Sequence, residues 1–77
     1  MVTIYALKSA DTEKVYVGMT TNIKRRMQEH NAGKSKFTSA FAPWLIIYQE
    51  VAPDFVQGRI REKYLKSTAG KRYIKKN

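Results

Sequence analysis

"VYVGMTTNIKRRMQEH", residues 15–30, decides how the whole chain is read. It opens on strand-forming residues, Val15, Tyr16 and Val17, and halts at Gly18. Thr20, Thr21 and Asn22 follow, all good N-cap types, so a helix is predicted to start about there. That helix runs to about Asn31, and Gly33 is a natural stop. Ile23, Met27 and His30 share one face of it; Arg26 borders that face, and Lys24 and Arg25 point elsewhere. A tyrosine, a glycine, an arginine pair and the only histidine of the chain thus fall in one strand-to-helix unit.

Toward the N-terminus, Val2 to Lys8 alternates as a strand should. Val2, Ile4 and Ala6 take one face; Thr3, Tyr5 and Leu7 take the other. Ser9 to Glu13 is turn-like, and Lys14 to Gly18 returns as a second strand. A hairpin with a two-residue turn at Ala10-Asp11 would set Tyr5 opposite Tyr16. Beyond the first helix, Lys34 to Ala42 is mixed, with room for a short helical turn. "WLIIYQE", residues 44–50, is a dense apolar run expected to form a central, well-buried strand, with Trp44 and Tyr48 in the core. Pro53 suits the first turn of a second helix that extends to about Ser67. This helix bears two apolar stripes. Phe55, Gly58 and Leu65 form one, with Glu62 inside it; Val56, Ile60 and Tyr64 form the other. A helix apolar on two sides is usually sandwiched, so "TAGKRYIKKN" is expected to supply a short last helix that covers the second stripe. The order is β-β-α-β-α with a short final α, an α+β arrangement.

Seventy-seven residues allow one domain, 1–77. Its core is small and must be shared by every element. Without cysteine there is neither a disulfide nor a thiolate metal site, and a cytosolic chain is the simplest reading. No run of about 18 apolar residues suggests a membrane span, and no basic-then-apolar N-terminus suggests a signal peptide. The net charge is +9. Five Lys/Arg stand between Asn22 and Lys36 and eight between Arg59 and Asn77, whereas residues 37–58 contain none. Charge so segregated implies a basic face, and nucleic acid is the usual partner for one.

Several residues admit two readings. Glu62, among apolar neighbours, either pairs with Lys66, Arg59 or Lys63 along its helix or anchors one Mg²⁺ whose other positions go to water and phosphate. His30 is a boundary histidine or a site residue. Arg26 is a solvated or salt-bridged cation or a catalytic one, and Tyr5 and Tyr16 are sheet aromatics or site residues. Nucleophile-elbow, phosphate-loop and zinc spacings are all lacking. Tyr, Arg, His and Glu remain, a set suited to metal-assisted attack on a phosphodiester.

"TIYAL" at 3–7 and "VYVG" at 15–18 resemble the paired signatures of the GIY-YIG nuclease superfamily, and the likeness continues through "TTNIKRRMQEHNAGKSKFTSAFAPWLIIYQE" and "RIREKYLK". The layout is similar to the small stand-alone bacterial branch. The resemblance implies a three-stranded antiparallel sheet flanked by helices and a cytoplasmic, DNA-cleaving module of repair or recombination type. By position it makes Tyr5 and Tyr16 the signature tyrosines, with Tyr16 the first choice to activate or orient water. Gly18 would let the backbone turn beside the site, Arg26 would be the catalytic arginine, and His30 would sit near the nucleophile or phosphate. Glu62 would hold one Mg²⁺ or Mn²⁺. A tyrosine with an ordinary pKa near 10 would need its positive surroundings to favour the phenolate. Three positions depart from the pattern: Thr3 replaces the first signature glycine, Met19 stands where some members carry lysine, and the only late asparagine is the terminal Asn77.

The expected function is low-specificity, metal-dependent hydrolysis of DNA, in preference to RNA, with a targeting protein as a further partner. Lys24, Arg25, Lys34, Lys36, Arg59, Lys63, Lys66, Lys71 and Arg72 are the candidate phosphate contacts. The alternatives are a catalytically silent nucleic-acid-binding module on the same basic face, and a scaffold that binds protein through the Val56/Ile60/Tyr64 stripe.

Overall fold

The computed structural model of the chain describes residues 1–33 and 40–76. The elements are β1 (Val2–Ser9), β2 (Val15–Thr20), α1 (Ile23–Asn31), β3 (Trp44–Ala52), α2 (Phe55–Lys66) and α3 (Thr68–Lys76). The strands form one antiparallel sheet in the order β2-β1-β3. The expected α+β class and the final helix are both present.

β1 organises the molecule because both of its faces are apolar. Val2, Ile4 and Ala6 enter one core with Val17, Ala52, Leu65 and Ile74. Tyr5 and Leu7 enter a second with Trp44, against Ile23 and Met27 of α1. Helix α1 therefore covers one face of the sheet, and α2 and α3 cover the other. Burial of each large side chain stabilises the fold by about 1.5–3 kcal/mol, so a strand that contributes to both layers belongs in the middle.

That placement corrects the expectation for residues 44–50. β3 is an edge strand, not the central one. Trp44 is buried, but Leu45, Ile46, Ile47 and Val51 are 57, 43, 36 and 59% exposed. Tyr48 is only half-buried. A three-stranded sheet has one interior position, and β1 already occupies it. The pairing with β1 shifts between Ala6 and Leu7, which leaves Ile47 as the extra residue of a bulge.

The hairpin register also differs from expectation. Tyr5 faces Gly18, and Leu7 faces Tyr16. The connection is longer than two residues: the Ser9 N–H donates to the Lys14 carbonyl at 3.0 Å. Hydroxyls stabilise it, with Ser9 Oγ accepting from the Asp11 N–H at 3.3 Å and Thr12 Oγ1 from the Lys14 N–H at 3.1 Å. Relative to a Tyr5–Tyr16 pairing the slip is two residues, which keeps both rings on one face.

Both helix starts are capped, the first at the Asn22 that its sequence suggests. Asn22 Oδ1 accepts from the Arg25 N–H at 3.1 Å, and Asp54 Oδ1 from the Gln57 N–H at 2.9 Å. Pro53 thus precedes the cap of α2 instead of lying in its first turn. Gly33 ends α1 with φ 77°, a left-handed position that favours glycine.

The second stripe of α2 stays uncovered, contrary to expectation. Val56, Ile60 and Tyr64 are 70, 59 and 40% exposed, and Phe55 of the first stripe is 56% exposed. The reason lies in the break at Ser67, whose hydroxyl accepts from the Gly70 N–H at 3.1 Å. The turn brings Gly70 onto the backbone of Tyr64 and Leu65, so close that a Cβ there would collide with it. Ile74 then joins Leu65 in the core, and α3 folds toward the sheet instead of over the outer face of α2. A polar cluster fastens these layers. Arg61 Nε and Nη2 donate to Glu50 Oε2 and Oε1 at 2.7 and 2.9 Å, and the Tyr48 hydroxyl donates to the same carboxylate at 2.5 Å. The Arg61 guanidinium also lies over the rings of Tyr64 and Tyr73. Among the described residues, no helix is long and apolar enough to cross a membrane.

Candidate active site

The register that sets Tyr5 across from Gly18 builds the site. A Cβ on Gly18 would lie 2.7 Å from the Tyr5 hydroxyl, 2.9 Å from Tyr5 Cζ and 3.0 Å from Tyr16 Cε1. Gly18 lies inside β2, so what it provides is room for two rings and not a backbone turn. The vacated space lets the Tyr5 and Tyr16 rings sit 6.3 Å apart on the face covered by α1.

Helix α1 brings His30 and Arg26 to these rings. His30 is fully buried, and its Nε2 is 3.0 Å from the Tyr5 hydroxyl. Its ring meets Tyr16 edge-on at 5.1 Å. Burial, followed by the charge of Arg26, holds His30 below the usual histidine pKa. The Arg26 charge lies near enough to the Tyr5 hydroxyl to oppose the effect of burial there. The Tyr5 hydroxyl and His30 Nε2 share one hydrogen bond, whose direction follows the tautomer of the imidazole.

Burial raises the pKa of Tyr5 despite the opposing pull of Arg26. The phenolate expected from positive surroundings is thus disfavoured at this residue, because desolvation outweighs one cation. Tyr16 is only half-buried. It also borders an open groove of about 370 Å³ at the β2 edge, whose other lining residues, Val15, Val17, Lys66 and Lys71, belong to the side of the sheet covered by α2 and α3.

Two residues that sequence reasoning passed over organise this cluster. Glu29 Oε1 accepts from Arg26 Nη1 at 2.9 Å, and its Oε2 from Arg25 Nε at 3.4 Å. The Arg26 hydrogen bond lowers the Glu29 pKa, and the carboxylate raises that of Arg26 in return. The i,i+3 and i,i+4 spacing after the arginine pair was a legible signal. Asn31 left none. Its Oδ1 accepts from the Trp44 N–H at 2.6 Å and its Nδ2 donates to the Trp44 carbonyl at 3.4 Å, joining α1 to the start of β3.

Glu62 comes from the opposite face of the sheet. It belongs to α2, yet α2 lies toward β2, with Gly58 against Met19. Glu62 is paired with Lys66 at 3.8 Å, the helical ion pair that its spacing allows. Its charge nevertheless reaches the Tyr5 hydroxyl and raises that pKa as the smallest contribution. Among the described residues, no three His, Cys, Asp or Glu side chains gather as a metal cage. One hard carboxylate suits only an ion that draws most of its oxygens from water and phosphate, as Mg²⁺ does.

The basic candidates disperse. Lys66 and Lys71 border the groove at the β2 edge, on the side of α2 and α3. Arg25 lines a small hollow with Thr20, Thr21, Asn22, Arg26 and Glu29. Lys24 and Arg72 are exposed on α1 and α3, and Arg59 and Lys63 flank the bare stripe of α2. Lys34, Lys36 and Asn77 lie outside the described residues.

Comparison with known proteins supplies the family. The profile described as the GIY-YIG catalytic domain matches residues 1–77. A UPF0213 protein of Staphylococcus haemolyticus is 33% identical over 73 residues, 94% of this chain and 88% of that protein. One from Natronomonas pharaonis is 37% identical over 65 residues, 83% of this chain and 75% of the relative. The solution NMR structure of a UPF0213 protein from Bacillus halodurans superposes with a TM-score of 0.56 at 27% identity, covering 96% of this chain and 82% of that one. With its two signature tyrosines gathered around one buried histidine, the chain belongs to the GIY-YIG catalytic domain family.

Proposed function

We propose that the chain is a divalent-metal-dependent endonuclease that hydrolyses phosphodiester bonds in DNA with little sequence preference. The observation that carries this reading is the Tyr5 hydroxyl within 3.0 Å of the buried His30 Nε2, with the Tyr16 ring against the same imidazole and Arg26 one turn earlier on α1. Tyr16, less buried than Tyr5, orients the attacking water. Arg26, locked by Glu29, offsets the charge that builds on the phosphate as the water oxygen bonds to phosphorus and the P–O bond to the leaving sugar breaks. Tyr5 stays protonated and holds His30 in register. Glu62 would hold Mg²⁺ or Mn²⁺, which supplies Lewis-acid polarisation of a phosphate oxygen when bound. Lys66 and Lys71, on the same side of the sheet as Glu62, contact the phosphate backbone, so affinity falls steeply with salt.

Incubation of supercoiled and branched DNA with Mg²⁺ or Mn²⁺ tests the reading, with RNA of matching structure alongside. Nicking by the wild type, lost in Arg26→Ala and Glu62→Ala, supports it. A second reading, a catalytically silent binding module, draws on the Glu62–Lys66 pair, which competes with a metal for the carboxylate. DNA binding that survives both substitutions, with no cleavage by any form, selects that alternative.

A further inference from the structure

β3 has the sequence of an interior strand and the position of an edge strand. Residues 44–52 contain no Lys, Arg, Gly or Pro. Natural edges are usually blunted by exposed charged residues such as Lys, by Pro or by bulges, because a row of unpaired N–H and C=O groups is a template for another strand; β3 has only its bulge at Ile47. Here Leu45, Ile46, Ile47 and Val51 stand 57, 43, 36 and 59% exposed along that row. We infer that β3 pairs with β3 of a second copy, antiparallel about a twofold axis, to give a six-stranded sheet β2-β1-β3-β3-β1-β2.

Charge selects a second copy over other occupants. The molecule carries +9, and residues 37–58 hold no Lys or Arg. Glu50, the one acid within β3, is neutralised by Arg61. The strand is thus an electrically quiet strip, one along which two like-charged molecules can meet. An acidic partner would be drawn to the lysines and arginines of α1, α2 and α3 instead. The matching surface for an uncharged, β-branched strand is another such strand, and antiparallel self-pairing closes on itself. The Asn31 amide already occupies the Trp44 N–H and carbonyl, so pairing begins beyond Trp44. The bulge at Ile47 leaves Tyr48–Ala52 as the regular stretch. In this assembly β3 becomes central, as its composition demands. Each Tyr16 lies at an outer edge, with the two β2 strands roughly 24 Å apart, five spacings of about 4.8 Å.

Sedimentation velocity over a wide concentration range tests the proposal. The wild type should reach twice 8.9 kDa. Ile46→Lys/Val51→Lys should stay monomeric with an unchanged circular dichroism spectrum. Val56→Lys/Ile60→Lys adds the same charge on the exposed stripe of α2 and should still dimerise. Amide exchange at Gln49 and Val51 should slow as concentration rises. A wild type that is monomeric throughout would overturn the inference. So would a dimer lost only in the α2 variant, or one whose β3 amides exchange equally fast at every concentration.

Discussion

Replacing Gly18 by alanine tests whether the two tyrosines owe their positions to one missing side chain. The new methyl would lie 2.7, 2.9 and 3.0 Å from atoms of Tyr5 and Tyr16. Carbon contacts normally settle at about 3.5–4.0 Å, so something must move by roughly half an ångström or more. Tyr5 cannot yield easily, since it is fully buried and tied to His30. Overpacking of this kind costs about 1–3 kcal/mol. At about 4–8 °C per kcal/mol in a domain of this size, Tm should fall by roughly 4–24 °C. Tyr5→Phe removes the closest atom but leaves Cζ in place, so it should relieve the clash only in part. Tyr5→Phe alone should cost about 0.5–1.5 kcal/mol for its hydrogen bond to His30. In a double-mutant cycle followed by thermal and urea unfolding, Gly18→Ala should cost about 0.5–1.5 kcal/mol less in the phenylalanine background. Costs that add without coupling, or a Gly18→Ala protein as stable as wild type, would refute the packing account.

Other consequences are equally accessible. Glu29→Gln weakens the hold on Arg26 without removing the guanidinium; nicking should fall while DNA binding persists, and Arg26→Lys should also cleave poorly because a lysine lacks the planar fork that can hold Glu29 and a phosphate together. Stability should decline as pH drops below about 6.5, because the pKa of His30 is lowered in the fold and the unfolded chain takes up the proton first. His30→Gln should flatten that part of a pH series of urea titrations. A further decline should begin below about 4.5, where Glu29 and Glu50 lose the ionised state that their arginine partners favour. Arg61→Ala leaves Glu50 without its bidentate partner; as both side chains are partly solvated, a loss of about 1–2 kcal/mol by chemical denaturation is expected, with Arg61→Lys recovering little.

The helices and strands were legible because their signals are local. Asn22 caps, Gly33 stops, and β1 alternates; each is a property of a few neighbouring residues. Placement of elements was less legible. A dense apolar run reads as buried, and β3 has one, yet only one strand of three can have neighbours on both sides. The outer stripe of α2 failed for a similar reason: covering it depends on where the chain turns at Ser67, and Gly70 turns it back to the sheet. In the candidate site, Tyr5, Tyr16, Arg26 and His30 were named from the signatures and do converge. Glu29 was overlooked because a helical Glu–Arg spacing looks the same on any exposed surface. Asn31 was invisible because its partners are backbone atoms thirteen residues away.

By itself, the sequence determined the class of fold, the two basic segments and the residue types that gather on the first hairpin and helix, since hydrophobic period, capping and charge are written in short windows. The tertiary structure alone decided that Tyr5 faces Gly18, that burial keeps the Tyr5 proton in place, that Glu62 approaches from the other face, and that β3 lies at an edge. Those outcomes depend on register, on which strand takes the single interior position, and on desolvation. All three are set by contacts between segments far apart in the chain.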